Sequence, residues 1–201
     1  HVSTAESVEV LRDAHRKNIN VTAETCPHYY ALEDSVLDGY NVNAKMNPPI
    51  RSAKDMQAMR DALKDGSIEI IATDHAPHSQ EEKNREFPKA MNGIVGLETC
   101  VPITITTLVN ENVITPSQMI EKMTINPAKM LGIVKGDISE GKIADIAIIN
   151  PNEKYKIDVN NFESKGKSSP FDGWEVNGKI EYTIVNGKII FEKGKICGGA
   201  I

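Results

Sequence analysis

The run Ile68-Glu69-Ile70-Ile71-Ala72-Thr73 limits the possible folds of this chain more than any other stretch. It is short and almost wholly apolar. That is the pattern of a strand buried on both faces, as in the parallel sheets of α/β proteins. Helical signals surround it. Ser52-x-x-Asp55 predicts a helix start, with Met56, Met59 and Leu63 on one face and Gly66 at the end. Ser3-x-x-Glu6 has the form of a capping box ahead of Val8, Leu11 and Ala14, and Ile19 to Ala23 alternates like a strand. Thr115-Pro116 and Asn126-Pro127 each place a capping residue before a proline, which predicts two short helices. Residues 76–96, with Pro77, Pro88, Gly93 and Gly96, read as a long loop.

The pattern changes near Gly132. Beyond it, glycines punctuate short strand-like runs such as DIAIIN, EYTIVN and KIIFEKG, and Asn186-Gly187 predicts a hairpin turn. The expected organisation is an α/β region over 1–133 and a small all-β domain over 134–201. Strand-helix alternation favours a parallel sheet or barrel. An eight-unit barrel takes about 250 residues, so the first region has room for about three βα units, the last part of a TIM barrel. A small doubly wound sheet is the self-sufficient alternative.

Composition narrows the functional classes. The 23 basic and 28 acidic residues leave a net charge of −5, with no basic block to grip nucleic acid or an anionic membrane surface. No apolar run approaches the roughly 20 residues of a membrane span, and no signal peptide is visible. Cys26, Cys100 and Cys197 are odd in number and widely spaced, which suits a reducing compartment.

Four segments could carry chemistry. Thr73-Asp74-His75-Ala76-Pro77-His78 leaves the end of the buried run, where α/β folds place their sites. A carboxylate there needs a cation, a donor or a metal, and two imidazoles lie within four residues of it. Asp74 capping the next turn beside solvated histidines is the competing reading. Thr25-Cys26-Pro27-His28 offers a thiol and an imidazole, a weak zinc signal without a second pair. In Lys45-Met46-Asn47-Pro48-Pro49-Ile50-Arg51 the prolines would hold Asn47 and Arg51 in fixed directions. In Met91-Asn92-Gly93-Ile94-Val95-Gly96 the glycines allow backbone to approach a ligand closely. No dinucleotide fingerprint, P-loop or nucleophile elbow occurs.

Taken in order, HVST at 1, ETCPHYY at 24, KMNPPIR at 45, ATDHAPH at 72, GIVGLET at 93 and EGKIADIAIIN at 140 resemble the dihydroorotases, a family of the amidohydrolase superfamily. So does the late stretch SPFDGWEVNGKIEYTIVNGKIIFEKG. The resemblance implies a metal-dependent (β/α)8 barrel with a binuclear zinc site. The implied reaction is the reversible cyclisation of N-carbamoyl-L-aspartate to (S)-dihydroorotate in cytoplasmic pyrimidine biosynthesis. His1 then matches a metal ligand at the sixth strand end. Asp74 matches the eighth-strand aspartate that binds metal and carries the catalytic proton. Asn47 and His78 match substrate-binding positions, and Asn92 and Gly93 match the loop that covers the substrate. Asn92 stands where the family carries an aromatic. His28, at the seventh strand end, is expected beside the metal site without ligating it. Lys45 and Arg51 are expected to be structural.

The resemblance places the other ligands, and the arginine for the substrate carboxylate, upstream of His1. It follows as an expectation that the 201 residues alone are inactive and expose an unfinished sheet edge. The implied partners are the amino-terminal part of the barrel, a second copy in a homodimer, and aspartate transcarbamoylase. Two alternatives stand beside this expectation. One is a related cyclic amidase, an allantoinase or hydantoinase. The other is a non-catalytic dihydroorotase-like scaffold that binds the transcarbamoylase.

Overall fold

The computed structural model describes residues 1–197; the last four residues of the expected β region lie outside them. Helix α1 (Ala5–Arg16) is capped by Thr4, whose hydroxyl accepts from the Ser7 amide at 3.2 Å. The expected cap at Ser3 is therefore one residue early. Ser3 is buried at the end of an extended stretch in which the Val2 amide donates to Glu24 O at 2.9 Å. Val8 faces the core, fully buried.

The strand expected over Ile19 to Ala23 is also displaced. The amides of Lys17, Asn18 and Ile19 still bond carbonyls of α1, and Asn18 takes a left-handed φ of 55°. The apparent alternation is the exit from the helix. The strand itself, β1 (Glu24–Thr25), pairs in parallel with β2 (Ile70–Ile71), Glu24 opposite Ile70. Flanking bonds from Ile70 N to Ala23 O and from Ala72 N to Thr25 O lengthen this ladder. Residues 1–3 are joined to β1 through the Val2 amide, and β1 and β2 run parallel with their carboxyl ends on one side.

Between the two strands lie α2 (Pro27–Ala31) and α3 (Ala53–Asp65). Helix α3 begins and ends as its sequence predicts. The Ser52 side chain accepts from the Asp55 amide, and Gly66 closes the helix at φ 85°. The long loop after β2 contains one turn of helix, α4 (Gln80–Lys83), with a Ser79/Glu82 capping box. Helix α5 (Leu97–Thr104) was not signalled by the sequence, since Pro102 lies inside it; it runs on into a wider π turn over Ile105–Val109. Helix α6 (Pro116–Met123) starts at the expected Thr115 cap. Helix α7 (Ile125–Leu131) starts before Asn126-Pro127, so Asn126 is not its cap; its side-chain amide donates to Glu69 O at 2.9 Å.

Strands β3 (Ile146–Lys156), β4 (Glu175–Val185), β5 (Lys188–Glu192) and β6 (Lys195–Ile196) form one antiparallel sheet in that order. Asn186 and Gly187 make the β4–β5 turn, at φ 50° and 75°. The sheet packs directly on the helices. Ile157, Phe171 and Val176 belong to the same core cluster as Tyr30, Ile103 and Leu108. The Asn177 amide donates to Thr106 Oγ1 at 2.8 Å. Gly178 lies so close to Ile105 that an added Cβ would stand 2.4 Å from Cδ1. Among the described residues no helix is long and apolar enough to cross a membrane.

Candidate active site

The extended start of the chain, β1 and the exit from β2 bring their polar side chains together. His1 Nδ1 lies 2.5 Å from Glu24 Oε1, and His1 Nε2 lies 3.4 Å from Asp74 Oδ1. Cys26 Sγ donates to Glu24 Oε2 at 3.6 Å and is as far from His1 Nδ1. Burial first, then the charges of Glu24 and Asp74, push the Cys26 thiol well above its ordinary pKa, so it stays protonated. Asp74 is also held above the usual carboxylate range, by burial and then by Glu24. Its own backbone is left-handed, at φ 45°, which turns the chain sharply off the end of β2.

His28 sits behind this pair. It is 1% exposed, its Nε2 has no hydrogen-bond partner, and that atom lies 3.9 Å from Asp74 Oδ2. Burial lowers its pKa to about 3, which keeps the ring neutral. His75, by contrast, serves the fold. Its Nδ1 accepts from the amides of Gly96 and Leu97 at 3.1 and 3.3 Å, at the start of α5. Nδ1 therefore carries no proton.

The loop residues form a second group. His78 Nε2 donates to Asn92 O at 2.9 Å. Gly93 has φ +131°, and a Cβ there would stand 2.6 Å from Ala76 O, so only glycine fits. The Gly93 amide donates to Lys45 O at 3.0 Å, which joins this loop to the segment carrying the exposed Asn47. Tyr29 holds the far side of that segment through a 2.7 Å bond to Pro48 O. His1 and Asp74 are thus brought together, as are His78, Asn92 and Gly93. The bonds described do not join the two groups directly. Glu24, the first residue of β1, was overlooked in the sequence; a carboxylate two residues before Cys26 was its only signal.

The first group suits a divalent metal. His1, Glu24 and Cys26 offer nitrogen, oxygen and sulfur atoms within 4.8 Å of one another. Two ligands about 2.1 Å from a tetrahedral ion stand about 3.4 Å apart. His1 Nε2 and Asp74 Oδ1 have that separation, 3.4 Å. A cation there would also offset the repulsion between Glu24 and Asp74.

A family model described as the amidohydrolase family matches residues 1–190. The chain belongs to the amidohydrolase family, and its parallel strands and helices are part of a TIM-barrel enzyme fold continued by a small antiparallel sheet. Among curated relatives, a protein of Acetivibrio thermocellus named dihydroorotase is 52% identical over 190 residues, covering 94% of this chain and 45% of that protein. One of Geobacter metallireducens with the same name is 49% identical over 193 residues, covering 96% of this chain and 45% of that one. Among solved structures, the L-hydantoinase (dihydropyrimidinase) of Arthrobacter aurescens superposes with a TM-score of 0.93 at 33% identity, covering 98% of this chain and 45% of that one. A dihydropyrimidinase of Brevibacillus agri gives 0.91 at 28% identity, covering 98% of this chain and 44% of that one. The chain spans about 45% of the length of the curated relatives it matches.

Proposed function

We propose that this chain supplies part of the active site of a zinc-dependent dihydroorotase. The reaction is the reversible cyclisation of N-carbamoyl-L-aspartate to (S)-dihydroorotate and water, in cytoplasmic pyrimidine biosynthesis. One observation carries the proposal: His1 and Asp74 converge to 3.4 Å at adjoining strand ends, in a chain 52% identical to a protein named dihydroorotase. Residues 1–133 would then be the barrel part and 134–201 the small β domain. A homodimer and an association with aspartate transcarbamoylase are the partner expectations that accompany it.

In a binuclear zinc site, His1 and Asp74 would be this chain's ligands. When bound, the metal supplies Lewis-acid activation of water and of the amide carbonyl. Asp74 divides its two oxygens. Oδ1 lies towards His1; Oδ2, the oxygen nearer His28, takes the proton of the attacking water and delivers it to the departing ring nitrogen. The C–O bond forms and the C–N bond breaks; the water's second proton stays on the new carboxyl group, which ionises at neutral pH, so hydrolysis releases one proton and cyclisation takes one up. The Asn47 side chain and the Asn92 amide hold the ring, neutral donors being suited to its carboxylate and amide oxygens, and Gly93 lets the loop approach it closely. His78 fixes Asn92 through its carbonyl.

The test uses the intact natural protein that carries this sequence, with its metal content measured and dihydroorotate hydrolysis followed. Asp74→Asn should lower kcat by about 10²- to 10⁴-fold. A variant as fast as the wild type would sink the assignment of Asp74. A second reading, a hydantoinase or dihydropyrimidinase, is favoured by the 0.93 TM-score to the Arthrobacter enzyme. Turnover of neutral cyclic ureides without turnover of dihydroorotate would replace the first reading with the second.

A further inference from the structure

Lys83 lies in the acidic-looking run Gln80-Glu81-Glu82-Lys83, yet its side chain is 2% exposed. Its ammonium has three donors, and all three are used. They reach Lys45 O at 3.3 Å, Met91 O at 3.0 Å and Gly93 O at 2.9 Å. Its partners among the described residues are carbonyls, with no carboxylate in reach. Burying an unpaired ammonium is costly, and a methionine would fill the same space without that cost. Space-filling therefore does not account for a lysine here, whereas three directed hydrogen bonds do.

The acceptors are informative. Lys45 lies two residues before Asn47, while Met91 and Gly93 flank Asn92. A second ammonium works on the same loop from the other side. Lys45 Nζ donates to Phe87 O and Ala90 O, each at 2.6 Å, and lies 5.3 Å from the centre of the Phe87 ring. The Gly93 amide completes the join by donating to Lys45 O. Two loops distant in sequence are thus held in register by backbone carbonyls converging on one buried cation.

We propose that Lys83 is a positioning residue for substrate binding: its ammonium locks the Asn47 segment against the Asn92–Gly93 loop, so that both face the substrate in a fixed relation. The proposal rests on the dihydroorotase reading for its choice of substrate. Lys83 touches no reacting atom, so its loss should weaken ground state and transition state alike.

The test is Lys83→Met in the intact natural protein, which keeps the stem and removes the donors. KM for dihydroorotate should rise about tenfold or more, with kcat within about threefold and metal content unchanged. Exchange of the Gly93 amide should quicken about tenfold while amides of β4 keep their protection. A merely structural lysine would lower the melting temperature and the active fraction and leave KM where it was; an unchanged KM overturns the proposal. If Lys83→Met does not fold, Lys45→Met decides on the same terms, since it loosens the same loop from a partly exposed position. If the wild-type protein does not turn over dihydroorotate, the dihydroorotase reading fails by itself. Gly93 exchange then judges the clamp alone, and an unchanged rate in Lys83→Met refutes it.

Discussion

Gly178→Ala should be one of the most damaging single-methyl additions outside the candidate site. Two costs add. Gly178 has φ +99°, where an alanine is strained by about 1–2 kcal/mol. The new Cβ would also stand 2.4 Å from Ile105 Cδ1 and 3.3 Å from its Cβ and Cγ1. Ile105 is 3% exposed and cannot swing into solvent. Overpacking of this kind costs about 1–3 kcal/mol. The sum is about 2–5 kcal/mol. The contact also names its own control. Ile105→Val removes Cδ1, the atom that clashes, and alone should cost about 0.5–1.5 kcal/mol. In the double variant the clash with Cδ1 should disappear, while the backbone strain and the 3.3 Å contacts remain, a coupling of up to about 1–3 kcal/mol. Urea unfolding of the four proteins, followed by circular dichroism at two wavelengths to check for a single transition, would measure it. If Gly178→Ala lies within about 0.5 kcal/mol of the wild type, or the two changes are additive, the close packing of sheet on π turn is refuted.

Gly93→Ala should raise KM for dihydroorotate at least about tenfold, because backbone at Ala76, and not a flexible side-chain tip, occupies the space of the new methyl; an unaltered KM would contradict the geometry of the loop. Lys83 should also give stability a pH dependence. Burial and then the charge of Lys45 lower its pKa from 10.5 to about 8, so between those values the unfolded chain binds more protons than the folded one. The cost of charged Lys83 is therefore fully present below pH 8 and is relieved as pH rises towards 10.5. Relative to Lys83→Met, the wild type should gain up to about 3 kcal/mol across that interval. A difference that stays flat from pH 7.5 to 10 would contradict a charged, desolvated lysine. Tyr30→Phe should cost only about 1 kcal/mol by chemical denaturation. Thr104 Oγ1, bonded to Tyr30 OH at 2.7 Å, keeps its own bond to Cys100 O at 2.6 Å.

Local signals were legible where one short stretch contained the whole device. Helix α3 carries its cap, its apolar face and its closing glycine within fifteen residues, and the Asn186-Gly187 hairpin is equally self-contained. Asp74 stood out because it follows a buried apolar run, and His1 because HVST matches a dihydroorotase motif, although it took the fold to bring them to 3.4 Å. Helix α5 was hidden by Pro102, which local rules read as a breaker. The Ile19–Ala23 alternation was misleading because the real strand is two residues long, too short to show a period. Lys83 was the least visible. Beside two glutamates it reads as a solvated charge, and only carbonyls brought from residues 45, 91 and 93 reveal its role.

Helix α5 is fastened at both ends. Its first amides bond His75, next to Asp74, and the turn that continues it receives the Asn177 amide and the close approach of Gly178. In hydrogen-exchange terms, the Gly96 amide at the strand ends and the Asn177 amide in the sheet should therefore report the same sub-global opening, with one free energy and one denaturant slope. The small sheet then acts as ballast for the candidate site: whatever loosens β4 should also slacken the turn from which Asp74 emerges.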